Sequence, residues 1–176
     1  MAHAKFSPSS ADRWLTCSMS GVLEKRLEDK SSIYAVKGTA LHEIASDILL
    51  KNQHSMMTEE YFTHARDFEE IIKPYVDYVE QYKIIGIEKK VKVTKDCWGT
   101  ADAICFEDNT LHIIDLKCGK GIKVSAQDNK QLMIYALGAY KEFKDYLDIK
   151  EVACHIAQPL RDNFDVSFYK PSRLLE

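Results

Sequence analysis

Two β-like runs joined by a four-residue turn constrain this chain more than any other feature. Cys97 to Phe106 and Leu111 to Lys117 read as strands, and Glu107-Asp108-Asn109-Thr110 separates them. Asp108 and Asn109 both tolerate positive φ, so they suit a two-residue hairpin turn. Such a turn fixes the register. Glu107 faces Thr110, and counting outward sets Asp102 opposite Asp115 and Thr100 opposite Lys117. Strand alternation puts Ile104, Phe106, Leu111 and Ile113 on the face that carries Asp102 and Asp115. The hairpin is therefore expected to be apolar near its turn and acidic at its far end.

Opposed carboxylates repel, and more strongly where an apolar surface lowers the local dielectric. A divalent cation between them removes the conflict, and hard oxygen ligands suit Mg²⁺ or Mn²⁺. Lys117 projects from the same side as Asp115 and can stabilise a phosphate oxyanion. The alternative is a pair of exposed strand-end charges, with Lys117 in a surface ion pair.

The remaining elements place this hairpin in a mixed α/β domain. Ser7 to Trp14 predicts a turn and a short helix, with capping residues ahead of Trp14. Leu41, Ile44, Ala45, Ile48 and Leu49 predict a helix over Gly38 to Leu50. A second helix is expected from Glu59 to Tyr82, kinked or restarted around Pro74. A strand over Ile85 to Val93, a helix over Ala126 to Phe143, and strands over Val152 to Ala157 and Phe164 to Tyr169 complete the set. The expected fold is a central mixed β-sheet flanked by helices, with an N-terminal helical segment. A chain of 176 residues suits one domain. Residues 1–83 would be its mainly helical part and residues 84–176 its sheet core.

Five scattered cysteines without a C-x-x-C pair exclude a disulfide framework and a zinc ribbon, and reduced thiols are expected. No run approaches the roughly 20 apolar residues of a membrane span, and the N-terminus lacks the apolar run of a secretory signal. A cytoplasmic location is expected, the host cytoplasm if the chain is phage-encoded. The net charge of −3 gives no overall basic field. The basic residues do cluster, however, in the runs Lys83, Lys89, Lys90, Lys92, Lys95 and Lys117, Lys120, Lys123. These are either solvated edges or a local grip on a nucleic-acid backbone.

Gly99-Thr100-Ala101-Asp102, then Ile113-Ile114-Asp115-Leu116-Lys117, then Gln131-x-x-x-Tyr135 resemble the PD-(D/E)XK nuclease superfamily. The closest branch is the RecB-like exonucleases, which include the CRISPR-associated RecB-like exonucleases. Gly38-x-x-x-His42 matches that branch's histidine motif. Trp14-Leu15-x-Cys17, Asn129-x-Gln131-Leu132-x-x-Tyr135-Ala136-Leu137-Gly138 and Ala157-Gln158-Pro159 are similar to phage and prophage members. The resemblance runs from about Ser7 to Pro159.

The resemblance implies a restriction-endonuclease-like core and roles for particular residues. Asp102, Asp115, His42 and the Leu116 carbonyl would hold one or two Mg²⁺ or Mn²⁺ ions. Lys117 would be the catalytic lysine. Gln131 and Tyr135 share a helical face and would bind substrate, Tyr135 by stacking on a base. Glu88 matches an acidic position on the first strand, with its register against Asp102 left open. Glu43 projects about 100° around the helix from His42 and is a weaker candidate. Ala101 stands where the superfamily name has Pro, and Asp115 keeps the carboxylate of the D/E position on a shorter arm. Some relatives hold an iron–sulfur cluster with three cysteines near the C-terminus. Only Cys154 lies there, so no cluster is expected, and Cys17 is expected to be a packed thiol.

The implied activity is metal-dependent hydrolysis of DNA phosphodiester bonds, as an exonuclease in phage-type recombination, repair or genome processing. Two alternatives stay open: a structure-specific endonuclease on the same fold, and a non-catalytic DNA-binding or assembly subunit. A helicase or single-strand annealing protein is a further possible partner. No P-loop is present, so the chain cannot itself couple ATP to unwinding. Oligomeric state is not readable.

Overall fold

A computed structural model describes residues 4–17, 19–20, 33–50 and 65–175. In these residues lie α1 (Ala11–Thr16), α2 (Ile33–Leu49), α3 (Ala65–Val79), β1 (Ile84–Lys92), β2 (Trp98–Glu107) and β3 (Thr110–Leu116). They are followed by α4 (Lys130–Phe143), β4 (Glu151–Gln158) and β5 (Asn163–Tyr169). The expected start of the second helix at Glu59 lies outside the described residues. Pro74 sits inside α3. The helix expected from Ala126 begins instead at Lys130, because Asn129 accepts the Leu132 N–H and caps it. Cys17 is exposed rather than packed.

The five strands form one mixed sheet in the order β1-β2-β3-β4-β5, flanked by helices as the sequence implied. All neighbours are antiparallel except β3 and β4. Parallel strands need a long crossover, and α4 supplies it. β3 and β4 are central and covered on both sides, which is why Leu111 to Leu116 and Val152 to Ala157 are almost continuously apolar. On one side α4 packs Leu132, Ala136 and Ala139 against Ile104, Leu111, Ile113 and Ile156. On the other, α2 and α3 pack Leu41, Ala45, Ile72, Tyr75 and Val79 against Ala103, Cys105, Ile114 and Leu116. Each large apolar side chain so buried contributes about 1.5–3 kcal/mol.

The hairpin has the expected register. Glu107 pairs with Thr110, and the ladder runs out to Ala103 and Ile114. Asp108 and Asn109 hold φ of 47° and 61°, as a tight hairpin turn requires. Beyond Ala103 the two strands part. Thr100 pairs with Lys90 on β1, and the Lys117 N–H donates to the Ala157 carbonyl on β4. The expected pairing of Thr100 with Lys117 is thus replaced by a fork, and Asp102 stands in its mouth.

Alternation also breaks at this point. Ala101 belongs to the α4-side core, whereas Ala103 belongs to the opposite one. On β1, Val91 faces α4 and Ile87 packs on the other side. The pairs Ile87–Ala103 and Lys89–Ala101 bracket Glu88 and Asp102. Glu88 has φ 44°, a left-handed conformation that a non-glycine residue adopts at a cost. This kink reverses the faces, so Asp102 does not share a face with Ile104 as regular alternation implied.

Candidate metal centre

Asp102 is held by the fork itself. Its Oδ2 accepts the Leu116 N–H at 2.7 Å, and its Oδ1 lies 3.2 Å from His42 Nδ1 on α2. The left-handed turn at Glu88 brings that carboxylate to 4.0 Å from the same ring nitrogen. Ligand atoms of His42, Glu88 and Asp102 all lie within 4.8 Å of one another. Burial would lower the His42 pKa, but hydrogen bonds to Asp102 and Cys118 outweigh it and raise it to about 11. Burial, followed by the charge of Asp102, pushes Glu88 up to about 7.

Asp115 occupies the adjoining wall and is buried. Its Oδ1 accepts from Gln131 Nε2 at 3.0 Å, and Gln131 Oε1 accepts from Lys117 Nζ at 2.9 Å. Lys117 Nζ is also 2.9 Å from Asp115 Oδ2, yet that buried oxygen receives no well-directed hydrogen bond. Burial and the nearby Asp102 raise the Asp115 pKa, with Lys117 opposing them. Carboxylates whose pKa values are raised by burial and by neighbouring carboxylates, beside a buried oxygen lacking a directed donor, suit binding of a cation. The grouped donors, the carboxylates of Glu88 and Asp102 and the His42 imidazole, with Asp115 alongside, suit Mg²⁺ or Mn²⁺.

His42, Asp102, Asp115, Lys117 and Gln131 line one cavity of about 840 Å³, and Glu88 stands outside that lining. Among the described residues its lysines are Lys37, Lys117 and Lys120. An acidic lining with nearby lysines suits a polyanion whose charge is bridged by metal.

Several expectations need correction. Glu88, ranked second from the sequence, stands in the tight group with His42 and Asp102, whereas Asp115 is spoken for by Lys117 and Gln131. Leu116 also meets Asp102 through its N–H, a contact that leaves the expected role of its carbonyl unchanged. Gln131 clamps Asp115 to Lys117, so it positions the site. Tyr135 cannot stack on a base, because its ring is buried in the α4-side core. Its Cε1 lies 2.9 Å from where a Cβ on Gly99 would stand, so the missing side chain there makes room for it. The first lysine run lies along β1 and beyond. Lys89 pairs with Glu142 at 3.0 Å, and Lys90 covers the Trp98 ring at 3.7 Å. Only the second run reaches the cavity.

Sequence reasoning missed a buried polar chain. Tyr78 Oη lies 2.8 Å from His155 Nδ1, and His155 Nε2 lies 3.0 Å from His112 Nδ1. The Tyr82 ring covers His112 at 4.3 Å. A bond between two ring nitrogens needs one proton, not two. Burial lowers both histidine pKa values, that of His155 to about 3. A depressed histidine contributes stability that is full above about pH 6.5 and is lost as pH falls toward its folded value. His155→Gln is therefore expected to flatten the pH dependence of unfolding free energy by about 1.4 kcal/mol per pH unit between pH 6 and 4. Urea titrations at stepped pH check this, and parallel curves for the two proteins would refute it.

The sequence from residue 3 to residue 176 matches the family model described as "Protein of unknown function (DUF2800)".

Proposed function

Since the chain belongs to the DUF2800 family, whose description assigns no activity, we propose from the site itself that it is a metal-dependent deoxyribonuclease, acting as an exonuclease. The observation that carries this reading is the convergence of His42, Glu88, Asp102 and the buried Asp115 Oδ2 beside Lys117 at the strand fork. The resemblance of the same positions to RecB-like nucleases supports it.

Mg²⁺ or Mn²⁺ held by His42, Glu88 and Asp102, with Asp115 at its flank, would supply water activation and charge neutralisation. The chain's own residues do the rest. The Leu116 N–H fixes Asp102, so one oxygen stays turned toward His42. Gln131 sets the height of the Lys117 ammonium above Asp115. From there Lys117 can meet a non-bridging phosphate oxygen and stabilise the charge that builds on it during in-line attack. Lys37 and Lys120 would hold flanking phosphates.

The test is digestion of end-labelled linear DNA and covalently closed circular DNA with Mg²⁺, Mn²⁺ or EDTA. Loss of linear DNA alone, only with metal, is the expected outcome. Cutting of the circle would make the enzyme an endonuclease. No cutting with either metal would overturn the reading in favour of DNA binding without catalysis.

No helix among the described residues is long and apolar enough to cross a membrane.

A further inference from the structure

The loop between β3 and α4 carries a feature that the metal centre does not use. Ile122 is 89% exposed at its tip, more than any other large apolar side chain among the described residues. It nevertheless lines the cavity, together with Gly119, Lys120 and Gly121.

The loop is held in place. Gln158, at the end of β4, is 2% exposed and aims its whole amide into it. Its Nε2 donates to the Gly119 and Ile122 carbonyls at 3.1 and 3.2 Å, and its Oε1 accepts the Val124 N–H at 3.2 Å. Asn163 adds a bond to the Val124 carbonyl at 2.9 Å. A buried side chain spends its hydrogen bonds on shaping a surface loop, and the shape presents isoleucine to water.

The two glycines have no conformational reason to be there. Neither adopts positive φ. Nor do they relieve crowding, since a Cβ on Gly121 meets nothing within 4 Å and one on Gly119 only touches a backbone nitrogen at 3.9 Å. What they do is strip both sides of Lys120 of bulk, which lets a ligand approach the backbone closely. Lys120 makes no ion pair among the described residues.

We propose that this loop is a strand-separating wedge: Ile122 packs against the terminal base pair of duplex DNA and unstacks it, while Lys120 and the glycine backbone receive the phosphates of the strand led to Lys117. Apolar side chains inserted at base steps act in this way, because every base offers an apolar face. The inference rests on the nuclease reading and adds a substrate class to it, duplex ends that must be opened.

Ile122→Ala should fold normally, because the side chain touches little. The experiment compares it with wild type on blunt duplex and on the same duplex with three unpaired bases at the end. Terminal 2-aminopurine fluorescence is read in parallel with Ca²⁺ as the added metal. The expected result is a loss of rate about tenfold larger on the blunt duplex than on the frayed one, with end-brightening by wild type but not by Ile122→Ala. Equal rate losses on both substrates, or equal brightening by both proteins, would overturn the wedge and leave the nuclease reading standing. Brightening by wild type without cutting would sink the nuclease reading and keep the wedge. Neither cutting nor brightening would remove both.

Discussion

Lys117→Met is expected to lower the rate of metal-dependent cleavage by about 10²–10³-fold, the usual cost of removing one preorganised donor to a developing oxyanion. The variant also removes the cation beside Asp115, whose Oδ2 already lacks a directed hydrogen bond. A buried polar group left alone costs about 1–3 kcal/mol. Part of this is escaped by protonation, since burial and Asp102 already raise the Asp115 pKa. The thermal midpoint should therefore fall modestly, and adding Asp115→Asn should recover it without restoring cleavage. Single-turnover rates and melting curves on the three proteins separate the chemical role from the structural one. Cleavage that returns with the second substitution would mean that Lys117 acts only by neutralising Asp115.

Asp102→Asn should weaken Mn²⁺ binding at least about 100-fold, given that losing an outer-sphere partner alone costs 10–100-fold. Asparagine can still accept the Leu116 N–H, so the fork should persist. What disappears is the anion at 3.2 Å from His42. Burial then dominates, and the His42 pKa should drop well below its value of about 11. A raised histidine stabilises the fold fully below about pH 6.5 and loses that contribution as pH climbs through the folded value, so the variant forfeits it at neutral pH. In the wild type, metal must displace the His42 proton and, below about pH 7, the Glu88 proton, so affinity should rise with pH. Calorimetry in buffers of different ionisation enthalpy measures the protons released, and ring-nitrogen NMR follows His42. Unchanged Mn²⁺ affinity in Asp102→Asn would remove Asp102 from the centre.

The hairpin was readable because its turn is local: Asp108-Asn109 sets a register that four further pairs obey. His42 could be singled out by motif, but its meeting with Asp102 depends on how α2 crosses the sheet. Glu88 was undervalued for a clear reason. Nothing in Ile87-Glu88-Lys89 announces a left-handed backbone at a glutamate, and across it Ile87 and Val91 pack on opposite sides of the sheet. Tyr135 and Gln131 sit on the same helical face, yet Gly99 on another strand decides that the tyrosine goes inward. Gln158 ends a buried apolar strand and gave no sign of serving a loop more than thirty residues upstream.

The parallel step between β3 and β4 divides the centre by chain connectivity. Asp102, Glu88 and Leu116 come from the β1–β3 meander, whose pairings span short stretches of chain and can form early. Thr110 meets Glu151 only after the α4 crossover has closed. Gln131 lies on that crossover and Gln158 at the end of the strand it delivers. The acidic half of the site thus belongs to local structure, while the clamp on Lys117 and the anchor of the Ile122 loop arrive with the long-range closure. A partly folded chain can gather the carboxylates before the lysine is clamped, so completion of the site is tied to the most non-local pairing of the sheet.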